Sequence, residues 1–540
     1  MLDILIKNGE VIDGTSSKSF KADIGVKNNK IVVIKSNIEL EAHKVIDASG
    51  YIVSPGFIDI HGNSEWTLSS NNKGESKIRQ GVTTEVQGHC GFSAAPVIDS
   101  NRENLFSYLT NTALLTDEEK ERWNWRSQSE FIKEEIGKKG IPFNIAPMVG
   151  HGTIKIGVMG FEKREPTKKE LEKMIELLKV ELEDGLFGMS SGLQYEPGYY
   201  SSKREINALA KVLKEYDRVY TTHMRNEGRD VFESINESIE VSKNTGVSLL
   251  ITHLKLSHQP HWGQANKALD LIDQARNQGL NVDFDIYPYD AYGSGLIDLM
   301  PPWVKEEGTV KMANLLKDKN IQKKVIEDMR MQHDDWDNPF IGLSWDDIKI
   351  ALLTSEKNKQ YEGKTITEIA EKMSISPYQA VINLLIEEKG GIKAIYFAMD
   401  EDDIETFMKH PRAMLSSDGR AVAPYGFLGQ GSVHPRYYGT FPRILGRYVR
   451  EKKVISLEEA IKKITSLPAT KMKIDKRGEL KEGYYADIVI FDTDNIIDLA
   501  TFDEPHQYPI GVEYVIVNGK IVVEKSEHSG ILPGEVLSRK

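Results

Sequence analysis

Hydrophobic and polar positions follow two rhythms along this chain. Near the start, short apolar stretches alternate with turn signals: Asp3 to Ile6, Asn8-Gly9, Val11-Ile12, Asp13-Gly14, Ile24-Gly25-Val26, Asn28-Asn29 and Ile31 to Ile34. This is the pattern of a meander of short strands joined by tight turns. The far end repeats it with Ala486 to Phe491, Val512 to Val517, Asn518-Gly519 and Ile521 to Val523. Exposed edge strands favour being paired. The two ends therefore predict one small β-sandwich domain, built from residues 1–54 and 476–540 and clasping what lies between.

In the middle, short apolar runs alternate with segments of helical period. Thr167 to Glu170 is a capping-box pattern, after which Leu171, Met174, Ile175, Leu178 and Leu182 recur at three- and four-residue spacing until Gly185. Nine stretches read as buried strands ending in polar residues: 58–61, 83–86, 144–149, 188–190, 219–223, 248–253, 281–287, 392–397 and 413–416. A closed barrel needs eight, so one is supernumerary. Alternation over roughly 350 residues predicts an α/β protein with a (β/α)8 TIM-like barrel over 55–475, its chemistry at the C-terminal ends of the strands. The stretch from Leu296 to Ser344 breaks the rhythm with Pro301-Pro302-Trp303, a charged helix through Glu327 to Met331, and Asp334-Asp335-Trp336-Asp337-Asn338. It reads as a lid-like insertion at about 296–344.

Composition narrows the function classes. The 540 residues are 40% hydrophobic and 28% charged, as in an ordinary globular protein. The 69 basic and 81 acidic residues leave a net charge of −12, which repels phosphate backbones and argues against nucleic acid as a partner. The single cysteine, Cys90, excludes an intramolecular disulfide and fits a reducing compartment. Met1 to Gly9 lacks the basic and apolar regions of a secretory signal, and no apolar run approaches the roughly 18 residues of a membrane span. The expectation is a cytoplasmic protein without a membrane partner.

Reactive residue types recur where barrel strands should end. His61 closes Phe57 to Ile60, Cys90 lies just past Thr84 to Val86, His223 ends Val219 to Thr222, His253 ends Leu250 to Thr252, and Asp418 follows Leu415 to Ser417. Each alone has a structural explanation, a buried thiol or an imidazole bonded to a carbonyl. Together, two imidazoles and one thiolate supply three ligands for a borderline-soft cation such as Zn²⁺, and three protein ligands with an open position make a catalytic site. Asp418 is then the natural proton acceptor for bound water. Strand parity puts Lys255 on the side of His253 and Tyr287 on the side of Asp285. Lys255 reads equally as a surface amine, and Tyr287 as a core aromatic.

Several of these residues sit in motifs with a family resemblance. Ser54-Pro-Gly-Phe-Ile-Asp-Ile-His61 looks like the first barrel strand of the amidohydrolase superfamily. Gly88-His-Cys-Gly-Phe-Ser-Ala-Ala-Pro96 and His434-Pro-Arg-Tyr-Tyr-Gly-Thr-Phe-Pro-Arg443 resemble the N-acyl-D-amino-acid deacylases, or D-aminoacylases. Val149 to Gly152, Ser191 to Pro197, Thr222 to Arg225, Thr252 to Lys255, Tyr287 to Tyr289 and Ser417 to Gly419 agree in order and approximate spacing. The resemblance implies zinc-dependent hydrolysis of the amide bond of small N-acyl-D-amino acids, releasing a carboxylic acid and a D-amino acid. It carries a tight zinc site onto Cys90, His223 and His253 and the catalytic carboxylate onto Asp418. Lys255, Tyr287 and Arg436 correspond to the residues that hold the substrate carboxylate, and Tyr195 and Ser294 fall near positions lining the pocket. Enantiomer preference comes from the resemblance alone.

One departure bears on the metal count. The superfamily's first strand ends His-x-His, whereas this chain reads His61-Gly62-Asn63. An amide is a poor zinc ligand. One tight zinc site is therefore expected, with His61 left at a weak or second position. His89 stands where relatives usually carry asparagine. Two rival readings exist: a cyclic-amide hydrolase of the hydantoinase or dihydroorotase kind, and a non-catalytic relic of the barrel. The first would need a carboxylated lysine on the fourth strand, where the chain has Gly188-Met-Ser-Ser191; the second is motivated by Asn63.

Overall fold

The computed structural model describes residues 1–109, 117–305, 308–333, 336 and 338–539. Asp334, Asp335 and Asp337 of the acidic run lie outside these described residues.

Eight parallel strands form the barrel: β1 Phe57–Asp59, β2 Val82–Gln87, β3 Asn144–Pro147, β4 Gly188–Gly192, β5 Val219–His223, β6 Ser248–Ile251, β7 Val282–Ile286 and β8 Ala413–Leu415. Ladders join β1 to β2 to β3 and, separately, β4 through β8. Val149–Gly150 continues β3 past Met148 and pairs with β4. At the other seam, β1 and β8 meet through the parallel bridge Gly62–Gly419, just beyond both strands. Ile58, Val86, Ala146, Val219, Leu250 and Met414, one from each of six strands, fill the interior as a packed core. The capping box holds as read. Thr167 and Glu170 bond reciprocally at the start of helix Lys168–Glu183.

The supernumerary strand is the 392–397 stretch. Lys393–Tyr396 lies outside the barrel, between Tyr292–Gly295 and Ile348–Leu352 in an antiparallel sheet of three strands. Local pattern cannot separate such a strand from a barrel strand, because both are short apolar runs. The helices between these strands share a separate core with them, including Leu296, Met312, Val325, Ile350, Leu384 and Tyr396. The expected excursion at 296–344 is thus part of a longer one that begins at Tyr292 and returns after Tyr396.

Both chain ends enter one nine-stranded sheet. Ile52–Pro55 pairs antiparallel with Ile488–Phe491, and Ile4, Ile6, Ile24, Val53, Ile488, Ile490 and Ile516 share a core. Asn518 and Gly519, both with positive φ, make the tight turn between Val512–Val517 and Lys520–Glu524. The expected turn at Asn8-Gly9 is instead a bulge within one strand, Leu2–Val11, where the register shifts between Ile6 and Gly9. Asn8 takes φ 62° and gives its N–H to Asp23 Oδ1 at 2.9 Å, so the extra residue is absorbed without reversing the chain. Gly9 packs so closely on Val53 that a Cβ would lie 2.4 Å from its Cγ2.

Candidate active site

The sequence brings reactive residues to the ends of strands, and the ends of parallel barrel strands converge. His223 is the last residue of β5, while His61 and His253 each lie two residues beyond β1 and β6, and Cys90 and Asp418 three beyond β2 and β8. Cys90, His253 and Asp418 adopt φ of 54°, 38° and 44°. Left-handed backbone is costly for non-glycine residues and is held only where the surroundings impose it.

His253 is the hub. Its Nε2 lies 3.4 Å from Cys90 Sγ and 2.8 Å from His223 Nδ1. Cys90 Sγ is 3.6 Å from His61 Nε2. Two groups of ligand-grade atoms result, His61–Cys90–His253 and His223–Glu227–His253, sharing that ring. Burial would raise the Cys90 thiol, but the His253 and His61 rings outweigh it and hold the thiol well below its usual range. Burial and the Lys255 ammonium oppose a charged His253; Glu227 and Cys90 prevail and raise it to about 9. A thiolate among imidazoles is a donor set suited to a borderline-soft divalent cation.

Two residues missed in the sequence orient this hub. Glu227 Oε1 lies 2.8 Å from His253 Nδ1, and both its oxygens accept from Lys255 Nζ at 2.8 Å. Gln194 Oε1 is 2.6 Å from His223 Nε2. A carboxylate or amide on the outer nitrogen of a ligating imidazole fixes which nitrogen faces inward. Glu227 lies four residues beyond His223, and Gln194 sits beside Tyr195 inside a motif already noted; adjacency to these residues was the available signal.

Beside His61, Asp418 receives Asn63 Nδ2 at 3.2 Å, lies 3.4 Å from His61 Nε2 and forms a 3.0 Å ion pair with Arg436 Nη1. Burial would raise Asp418, yet Arg436 and His61 overcome it and keep the carboxyl well below the usual carboxylate range. Arg436 is buried, stacks on Tyr287 with 4.7 Å from Cζ to the ring centre, and leaves Nε without a hydrogen bond while Nη1 is engaged by Asp418. Lys255 Nζ sits 5.7 Å from the same ring. Lys255 Nζ is 2.9 Å from His253 Nδ1, a contact made past the end of β6, where strand parity no longer applies. Tyr195 faces His223, hydroxyl to Nδ1 at 3.3 Å. His89 stacks on His61 at 4.0 Å and joins neither ligand group. Ser294 stands apart in the inserted sheet, its hydroxyl bonded to Asp298.

This arrangement can hold a cation against a thiolate and imidazoles, with an ionised carboxylate and a buried guanidinium facing it. Comparison with known proteins gives the same class. A family model described as the amidohydrolase family matches residues 379–523. The chain is 32% identical to an N-acyl-D-glutamate deacylase of Alcaligenes xylosoxydans xylosoxydans, covering 100% of this chain and 97% of that protein. It is 31% identical to a D-aminoacylase of the same organism, covering 99% and 98%. Its structure matches that of an N-acyl-D-glutamate deacylase from Bordetella bronchiseptica, complexed with zinc and a phosphonate mimic of the tetrahedral intermediate. That match has a TM-score of 0.81 at 32% identity and covers 99% of both chains. This chain belongs to the N-acyl-D-amino-acid deacylases, the D-aminoacylase family of amidohydrolases.

Proposed function

We propose that this protein is a zinc-dependent N-acyl-D-amino-acid deacylase, hydrolysing the linear amide to a carboxylic acid and a D-amino acid. The observation that carries the reading is the approach of both Cys90 Sγ and His223 Nδ1 to His253 Nε2, with the Asp418–Arg436 ion pair reached from Cys90 through His61. Cys90, His223 and His253 would hold one zinc ion tightly. His61 is left as a weak ligand or as an electrostatic partner of Asp418 and Asp285, both 3.4 Å away. Bound zinc supplies Lewis acidity toward the amide carbonyl and lowers the pKa of water.

The chain's own residues do the rest. Asp418, ionised in its resting state, takes a proton from the attacking water and passes it to the departing amine. Arg436, whose buried Nε has no hydrogen-bond partner, holds the substrate carboxylate, assisted by the Tyr287 hydroxyl and the Lys255 charge. That anchor aligns the scissile amide with Asp418, which contributes through positioning rather than raw affinity. Tyr195, against His223, lines the approach. A single cysteine fits a reducing compartment, which favours the cytoplasm. The cyclic-amide alternative lacks support, since β4, Gly188–Gly192, carries no lysine to bridge two metals.

The test is amine release by zinc-loaded protein from matched panels of N-acyl-D- and N-acyl-L-amino acids, with hydantoins and dihydroorotate alongside. Turnover confined to the D panel is expected. Turnover of the cyclic amides, or of neither panel, would reject the reading.

A further inference from the structure

The barrel seam beside Asp418 is thinly joined. Among the described residues no ladder links β1 to β8, and the two strands meet at the Gly62–Gly419 bridge. Beneath that bridge lies a charged cluster with no exposed member: Lys77, Asp59 and Glu85 are each fully buried. Lys77 Nζ donates to Asp59 Oδ2 at 2.5 Å and to Ser417 Oγ at 2.6 Å, and lies 3.4 Å from Glu85 Oε2. Buried charges persist only when paired and hydrogen-bonded, so this cluster is a fixed structure.

Each partner of Lys77 controls one flank of Asp418. Asp59 accepts the Ser417 N–H at 3.0 Å and the Ser417 hydroxyl at 2.5 Å, and the Ser417 hydroxyl in turn accepts the Gly419 N–H at 2.9 Å. Ser417 and Gly419 bracket Asp418 and hold it at positive φ. Glu85 accepts the Ser64 N–H at 2.9 Å and the Ser64 hydroxyl at 2.8 Å. Its carboxylate packs against Gly62, where a Cβ would fall 2.1 Å from Glu85 Cδ. This sets the turn from His61 to Ser64, whose Asn63 reaches Asp418 at 3.2 Å and gives its own N–H to Gly419 O at 2.9 Å.

We infer that Lys77 is a positioning residue for Asp418: its ammonium ties β1, β2 and the turn after β8 into one unit, substituting for the missing ladder at the seam and fixing the direction of the Asp418 carboxylate. The inference rests on the proposed role of Asp418 and adds a residue that touches neither substrate nor metal.

The experiment compares wild type, Lys77→Met, the charge-balanced Lys77→Met/Asp59→Asn and the milder Ser417→Ala, all as full-length, zinc-loaded chains. Three readouts are taken: steady-state kinetics on the best N-acyl-D-amino acid of the panel, zinc content by metal analysis, and hydrogen–deuterium exchange of peptides spanning 413–422 and 60–65. Loss of the tie should lower kcat about 100-fold in the lysine variants and about 10-fold in Ser417→Ala, within the range of misplaced acid–base groups. KM and zinc content should stay within about threefold, and exchange should rise in those two peptides while the rest of the barrel is unchanged. Folded variants with wild-type kcat, or with unaltered exchange in 413–422, would overturn the inference. Should Lys77→Met fail to fold, Ser417→Ala decides by the same criteria. Wild-type inactivity on every N-acyl-D-amino acid would instead sink the proposed function, and the exchange data would still decide whether the tie exists.

Discussion

Arg436 Nη1 lies 3.0 Å from Asp418 Oδ2, in a setting where both groups are largely shut off from solvent. The pairing keeps Asp418 ionised despite burial and aims the guanidinium at the space between Asp418 and Tyr287. In the proposed mechanism one residue therefore sets both the charge of the base and the site for the substrate's carboxylate.

Asp418→Asn keeps the shape and the Asn63 contact while removing proton transfer. We expect kcat to drop by about 10³-fold, as for loss of a general base, with zinc content unchanged. Steady-state kinetics with metal analysis by mass spectrometry measures both, and near-wild-type turnover would remove Asp418 from the mechanism.

Cys90→Ala deletes the thiolate that His253 and His61 stabilise. Zinc content and rate should fall together, with partial recovery of rate in excess zinc, because two imidazoles alone hold the ion weakly. Equilibrium dialysis showing undiminished affinity would mean the ligand set is misassigned.

Asn63→His restores the imidazole pair at the end of β1, next to Asp418. The wild type should bind one tight zinc equivalent and the variant a second, weaker one, measurable by calorimetric titration. An unchanged stoichiometry would show that Asn63 is not what limits the metal count.

A second buried network should contribute to acid stability. Burial would raise Glu205, but His151 at 2.7 Å and Lys155 at 2.8 Å outweigh it and lower it from 4.5 to about 2. A depressed carboxylate contributes stability that is complete above its unfolded pKa and is lost as pH falls through the folded one. Glu205→Gln should therefore be less stable than wild type at neutral pH, the gap closing between pH 4.5 and 2. Denaturant melts across that range give the answer, and a constant gap would contradict the linkage.

Much of this protein was legible in local pattern. Alternation of apolar runs with helical periods marked the barrel, and the polar residue ending each run marked the rim, because strand burial and strand termination act between chain neighbours. The Thr167–Glu170 cap and the Asn518-Gly519 turn are local for the same reason. Zinc-competent chemistry followed from residue type at strand ends, and the motifs around Cys90 and Arg436 added the substrate class.

Only the closed structure decided the pairings. Asn8-Gly9 became a bulge because Asp23 and Val53 meet it from other strands, and Lys393–Tyr396 left the barrel to pair with strands of the insertion. Glu227 reached His253, 26 positions on in sequence but adjacent on the rim, and Lys77 reached Ser417 across a separation of 340 residues. Such contacts depend on which strands become neighbours when the barrel closes. The sequence determined which side chains arrive at the rim; the geometry of closure determined which of them touch.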